Sequence, residues 1–255
     1  MLEGAVIFLA GIWAGMINTI VGSGTLITFP TLLLFGYPAL TANVSNNIGL
    51  VAGGISGTYG YRREARELGA TLVRLAPASI LGAVTGSILL LTLPDSSFDA
   101  IVPALIALAL VMVLVGPAVQ RRAARRRVDR EVEDDRVSPA LFAAIFGLGV
   151  YGGYFGAAQG ILLMGLFGIM LSAGIQTLNG LKNVLGTLVN AVAAVAFMVF
   201  AWDRIDWRIV ALIGGGSLVG GVLGARIGRR LPPVVLRAVI LLIGTLALVK
   251  ILWFD

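Results

Sequence analysis

Between Gly174 and Asn190 the chain reads GIQTLNGLKNVLGTLVN, inside an apolar stretch that runs on to Phe200. It places one ammonium, Lys182, among carboxamides. At helical spacing Asn179, Lys182, Asn183, Gly186 and Asn190 (i, i+3, i+4, i+7, i+11) share a face. A cation flanked by amide donors and turned toward a bundle interior is what a small anion needs when it leaves water. The other reading is that Lys182, about two turns from its helix end, snorkels to the headgroups. Asparagines facing lipid would serve no purpose, which favours the substrate-lining role. All seven Asn (18, 43, 46, 47, 179, 183 and 190) fall in apolar segments, against the usual preference of Asn for turns.

Such residues need elements to hold them, and the composition says which. The chain has 255 residues, 58% hydrophobic and 13% charged, with mean hydropathy +0.97. Apolar runs near 20 residues follow one another, so the chain reads as an all-α polytopic membrane protein. A transmembrane barrel would alternate polar and apolar residues in segments of about 10, and this sequence does not. The stretch from Ala5 lacks the basic start and cleavage pattern of a signal peptide and is read as part of the fold. There is no Cys and no His, which removes thiol chemistry, disulfides, His-based metal sites and histidine relays; no cofactor and no metal are expected. The net charge of +6 comes from 17 Arg and 2 Lys. Most of these lie between spans, where they report orientation, so no nucleic-acid partner is expected. The expected partners are the lipid bilayer and a small anionic substrate; homo-oligomerisation is left open.

Along the chain, Ala5 to Phe35 is apolar but interrupted at Val21-Gly-Ser-Gly24 and again at Pro30. As one helix it would reach about 46 Å, beyond a hydrocarbon core of roughly 30 Å. It must break, tilt strongly or turn back, and broken helices at membrane depth occur where backbone lines a cavity or is buried in protein. Spans are expected at 39–61, 75–93 and 100–119, with loops at 62–74 and 94–99. A hydrophilic linker, 120–138, carries seven Arg and five acidic residues. It divides a first transmembrane repeat (1–119) from a second (139–255). The second opens with an apolar stretch to Leu171, interrupted at 152–156 and at Gln159-Gly160. The lysine-bearing segment, a loop at 202–208, a span at 209–224, a loop at 226–233 and a last span to Trp253 follow.

The halves read as a duplication. A shift of 136 pairs Asn43 with Asn179, Asn46 with Lys182 and Asn47 with Asn183. The loop at 62–74 has four Arg and 94–99 none; later, 202–208 balances two Arg with two Asp while 226–233 has three Arg. By the positive-inside rule the linker, 62–74 and 226–233 are cytoplasmic. The fold class expected is therefore two homologous helical repeats in inverted orientation with interrupted first helices, as in many secondary transporters. A parallel eight-span arrangement is the alternative.

Several motifs now stand in order: Gly11-Ile-Trp-Ala-Gly15, Val21-Gly-Ser-Gly-Thr25, Pro30, Thr41-Ala-Asn-Val-Ser45, Tyr61-Arg-Arg63 and Asn179-Gly-Leu-Lys-Asn183. With them, over nearly its whole length, the chain resembles the sulfite exporter TauE/SafE family (the TSUP transporters). That resemblance implies transport of sulfur-containing anions such as sulfite, sulfonates or sulfoacetate across the cytoplasmic membrane. The family's usual run of glycines is broken here by Ser23.

The residues themselves support a secondary transporter for a small oxyanion. The interruptions at 21–24 and 152–160 would aim helix N-termini and free N–H groups at the anion, with Gly22, Gly24 and Gly160 letting backbone approach. Lys182 supplies the balancing charge; Asn43, Asn47, Asn179, Asn183, Ser23 and Gln159 supply orienting donors. No ATP-binding G-x-x-x-x-G-K-[ST] occurs. All 13 acidic residues fall in loops or at segment ends, which argues against a carboxylate proton relay. A membrane-embedded enzyme would need a nucleophile or metal cluster within the spans, and the sequence offers neither. An anion channel, or an accessory subunit without transport of its own, is the nearer rival.

Overall fold

Long apolar segments can satisfy their backbone in hydrocarbon by becoming helical, and every regular element among the described residues is a helix. The computed structural model describes residues 1–128, 137–227 and 233–253, without the side chains of 119–128 and 233. The middle of the charged linker and most of the loop at 226–233 lie outside the described residues.

The first half comprises α1 (Leu2–Ile20), α2 (Thr25–Leu34), α3 (Ala39–Gly60), the short α4 (Arg62–Glu67), α5 (Gly69–Thr92) and α6 (Asp95–Val128). The second comprises α7 (Pro139–Tyr154), α8 (Gln159–Met170), α9 (Ile175–Phe200), a 3-10 turn at Trp202–Arg204, α10 (Trp207–Ile227) and α11 (Pro233–Trp253). Among the described residues six helices are long and apolar enough to cross a membrane: α1, α5, the 95–118 part of α6, α9, α10 and, from Val234, α11. Outward-facing Val84, Ile88, Val195, Val199, Leu242 and Leu246 are exposed, as hydrocarbon contact requires.

Three local expectations need correction. Pro30 does not interrupt the chain but lies inside α2. A mid-helix proline forfeits one N–H bond, and here burial of every α2 residue from Thr25 to Leu33 holds the helix. The charged stretch at 62–74 is largely helical, and α5 begins at Gly69 rather than Leu75. Tertiary contact sustains α4: Ala65 is buried against Gly180 of α9, and the Thr177 hydroxyl donates to Glu67 Oε2 at 2.5 Å. The supposed loop at 94–99 opens α6, with the Pro94 carbonyl accepting from the N–H groups of Ser97 and Phe98 and the Asp95 carboxylate at the positive helix end.

Small residues set the directions of the helices. α1 packs on α10 at backbone distance: a Cβ on Gly15 would lie 2.2 Å from the Ser217 carbonyl oxygen, and one on Gly220 2.0 Å from that of Ile12. The register climbs together, with Gly4 beside Leu212 and Thr19 beside Gly224, so the two run parallel. α3 is also parallel to α10, with Gly49 at Ile213 and Gly60 at Ala225. α1 and α3 therefore point the same way, and α2 carries the chain back between them. The first interrupted element is a hairpin that leaves by the face it entered. A 2.5 Å bond from Tyr37 Oη to Glu3 Oε1 ties its two ends together.

The second half repeats the manoeuvre. α7 runs parallel to α5, with Ser79 at Gly149 and Ala83 at Gly153. α9 starts beside α4, where α5 also starts, so α8 is the returning arm of a second hairpin. α3 and α9 are antiparallel: Asn47 meets Asn190, Gly54 meets Thr187 and Thr58 meets Asn183. α3 thus spans the same thickness as α9, although its buried Asn43, Ser45, Asn46 and Asn47 keep it out of the hydropathy-based set.

Candidate substrate-binding site

The two hairpins meet at their tips. Gly160 N–H donates to the Gly22 carbonyl at 2.9 Å. Gly22 has φ +87°, and a Cβ there would lie 2.4 Å from Gly160 Cα, so both conformation and space require glycine. Ala158, at φ +61°, is the one non-glycine residue in the left-handed region among the described residues. That conformation costs an L-residue roughly 1–2 kcal/mol. It is held because the Ala158 carbonyl starts α8, accepting from Ile161 at 3.0 Å and Leu162 at 3.3 Å.

Lys182 reaches this junction from α9. Its ammonium donates to the Asn18 carbonyl at 3.1 Å and the Thr19 carbonyl at 3.0 Å. Asn183 and Asn179 donate to the same Thr19 oxygen at 3.2 and 3.4 Å. These carbonyls belong to the last turn of α1, where helical partners run out and the dipole is negative. Lys182 is 2% exposed; it does not snorkel, because its counter-charge is this buried helix end. α7 ends in a similar way with a neutral partner: Asn43 Nδ2 donates to the Tyr154 carbonyl at 3.1 Å. The Tyr154 carbonyl has an amide donor, whereas the carbonyls of Asn18 and Thr19 have an ammonium.

Beside the ammonium is a cavity of about 30 Å³, room for roughly two waters. Asn18, Thr19, Gly22 and Thr25 line it from the first hairpin, and Gly156, Gln159 and Gly160 from the second. Lys182, Asn183, Gly186, Thr187 and Asn190 of α9 and Gly54 of α3 complete it. The N-terminal ends of α2 and α8, at Thr25 and Gln159, converge here opposite the C-terminal ends of α1 and α7, so the helix ends roughly balance and the ammonium supplies the net positive charge; among the described residues no carboxylate lines the space. The local field suits a small anion. Among the described residues no three His, Cys, Asp or Glu side chains gather as a metal site.

Of the residues expected to bind substrate, Lys182, Asn183, Gly22, Gln159 and Gly160 line this cavity. The N–H of Gly160 is not free, since it is spent on Gly22. Gln159 Nε2 is turned to the Leu148 carbonyl at 3.0 Å. Asn43 and Asn179 cap helices behind the cavity. Asn47 donates to Asn190 Oδ1 at 3.4 Å. Gly24 packs on α1, where a Cβ would lie 2.4 Å from the Ala14 carbonyl oxygen. Ser23 is buried outside the lining, and its hydroxyl has no partner among the described residues. Sequence reasoning missed Asn18, Thr19, Thr25, Gly54, Gly156 and Thr187 as lining residues, and named Gly186 and Asn190 only as sharing the Lys182 face. Asn18 carried a signal, an amide in apolar sequence. Thr19 and Gly54 carried none.

The sequence profile of the family described as Sulfite exporter TauE/SafE matches residues 7–251. The chain is similar to a probable membrane transporter protein, ORF9, of a Sinorhizobium species: 28% identical over 225 residues, covering 87% of this chain and 82% of that one. It is similar to a probable membrane transporter protein of Haemophilus influenzae, 24% identical over 98% of this chain and 96% of the other. It also resembles the probable membrane transporter protein YfcA of Escherichia coli K12, 27% identical over 89% and 79%. No solved structure matches.

Proposed function

The chain belongs to the sulfite exporter TauE/SafE family, is a multi-pass membrane transporter protein, and from that premise we propose that it carries a small sulfur-bearing oxyanion across the cytoplasmic membrane by alternating access. The observation that carries this reading is Lys182. A lysine buried beside a polar cavity, with only a helix end as counter-charge among the described residues, is poised to exchange that partial charge for an anion's full one. Asn183, Thr187, Asn190 and Thr25 then orient the oxygens.

Two features support alternating access. The hairpins touch tip to tip through the Gly160–Gly22 bond, so modest movements can part them. Antiparallel α3 and α9, each followed by a short helix laid near the start of the other, fit two inverted repeats around a shared site. At 30 Å³ the cavity is closed down and must widen to admit a sulfonate or sulfite.

The test is counterflow in proteoliposomes with sulfite, thiosulfate, sulfonates, sulfate and carboxylates in turn. Saturable exchange of a sulfur oxyanion is expected. Non-saturating flux without counterflow would make the protein a pore, and exchange confined to carboxylates would overturn the sulfur assignment.

A further inference from the structure

Away from the hairpin tips, the C-terminal ends of α3 and α10 part to leave a cleft of about 390 Å³. Among the described residues two arginines line it, Arg62 just past α3 and Arg226 in the last turn of α10, and no acidic residue does. Both are exposed, and among the described residues neither is ion-paired. Arg62 is held in place: Nη1 donates to the Tyr59 carbonyl at 2.8 Å, and the guanidinium carbon stands 4.2 Å above the Tyr59 ring. Ser56, deeper in the cleft, is already bonded to the Gly53 and Leu218 carbonyls and does not compete for a ligand.

The surroundings identify the occupant. Tyr59 is 67% exposed on the last turn of an apolar bundle helix, the position of an aromatic at the membrane–water boundary. At helical spacing Ile55 shares a face with Tyr59 on α3, and Val219 and Val222 share one with Arg226 on α10; all three apolar side chains are exposed and lie toward the bilayer interior from the cleft, as a column beneath it. Two guanidiniums without a carboxylate call for net negative charge, and their planar forks match phosphate oxygens. The apolar column beneath calls for a chain attached to that phosphate. We propose that this cleft binds the headgroup phosphate of an anionic phospholipid between Arg62 and Arg226, with an acyl chain along Ile55, Val219 and Val222.

Native mass spectrometry of the purified protein in non-ionic detergent, titrated with phosphatidylglycerol or phosphatidylcholine, tests this. Wild type and Arg208→Gln, a control beside the 3-10 turn on the opposite face, should retain one phosphatidylglycerol in preference to phosphatidylcholine. Arg62→Gln/Arg226→Gln should weaken that binding roughly 10-fold or more, and Arg62→Lys/Arg226→Lys should fall between. Melting without added lipid checks that the variants are folded, and the single Arg226→Gln takes the place of the double variant should the latter not fold. Equal retention in the Gln variants, or equal binding of phosphatidylcholine by wild type, would overturn the site. Displacement of phosphatidylglycerol by millimolar inorganic phosphate would overturn the lipid as its ligand.

Discussion

The ammonium of Lys182 lies 3.0 Å from the carbonyl oxygen of Thr19 at the C-terminal end of α1. A carboxylate partner would offer a full unit of negative charge; a helix end offers about half. The lysine is therefore partly satisfied without substrate and still electrostatically favourable to an anion. The same bonds give it a second task, since the Asn18 carbonyl would otherwise end α1 unmet inside the bundle, while Thr19 keeps Asn179 and Asn183.

Lys182→Met should show both tasks at once. Anion affinity should fall roughly 30- to 4,000-fold, the equivalent of about 2–5 kcal/mol for a buried charge contact. The substrate-free protein should also melt earlier, by the equivalent of about 1–3 kcal/mol for the Asn18 carbonyl left unmet. Lys182→Arg keeps a charged cap and should recover most of the stability, with altered anion selectivity because a planar fork replaces a point charge. Calorimetric titration with a sulfonate, alongside melting curves, measures the two separately; near-wild-type affinity in the Met variant removes Lys182 from the site.

At the tips, Gly22→Val and Gly24→Val should reduce the amount of folded protein together with transport. The sequence suggests glycines that let substrate approach the backbone, and a separable loss of activity. The structure puts Gly160 Cα 2.4 Å from a Cβ at Gly22, and the Ala14 carbonyl oxygen 2.4 Å from one at Gly24, so either substitution displaces backbone. Size-exclusion profiles of the purified variants check this, and a monodisperse, inactive Gly24→Val would restore the substrate reading.

The helical class, the break at 21–24 and the polar face from Asn179 to Asn190 were legible in the sequence, because hydropathy and misplaced asparagines are local signals. The return of α2 was not. It follows from α1 and α3 both lying parallel to α10, a relation between residues more than 160 positions apart, such as Gly49 and Ile213. Nor was the partner of Lys182 legible, since a main-chain carbonyl at Thr19 leaves no trace in residue type. The same holds for Asn43, whose role as the cap of Tyr154 depends on which helix end folds against it.

The two asparagine caps should differ in energy. Asn43 donates to the Tyr154 carbonyl with no lysine beside it among the described residues. Asn179 shares the Thr19 oxygen with Lys182 and Asn183, through a longer bond. Asn43→Ala should destabilise by about 1–3 kcal/mol, and Asn179→Ala by less, since the acceptor keeps two donors. Melting of the two variants in one detergent compares them directly, and the reverse order would show that Asn179 holds more than this carbonyl.

The hairpin reading makes a demand on topology that the charge pattern alone does not. If α1 and α2 enter and leave by one face, Leu2→Cys and Phe35→Cys must react from the same side, although the apolar stretch between them is long enough to cross. Both positions are exposed, and the natural chain has no cysteine to interfere. Asp95, Asp203 and Asp206 sit at the ends of elements on that face, whereas Arg62, Arg63 and Arg66 sit at the other, so the shared side is external by the positive-inside rule. Ser96→Cys and Asp203→Cys should react with it, and Arg66→Cys from the cytoplasm; Arg66 is used because Ala65 is buried. Impermeant maleimide labelling of intact cells against permeabilised ones assigns each position. Labelling of 2 and 35 from opposite faces would turn α1 and α2 into a crossing and undo the hairpin, while labelling of 66 and 203 from one face would undo the antiparallel relation of α3 to α9.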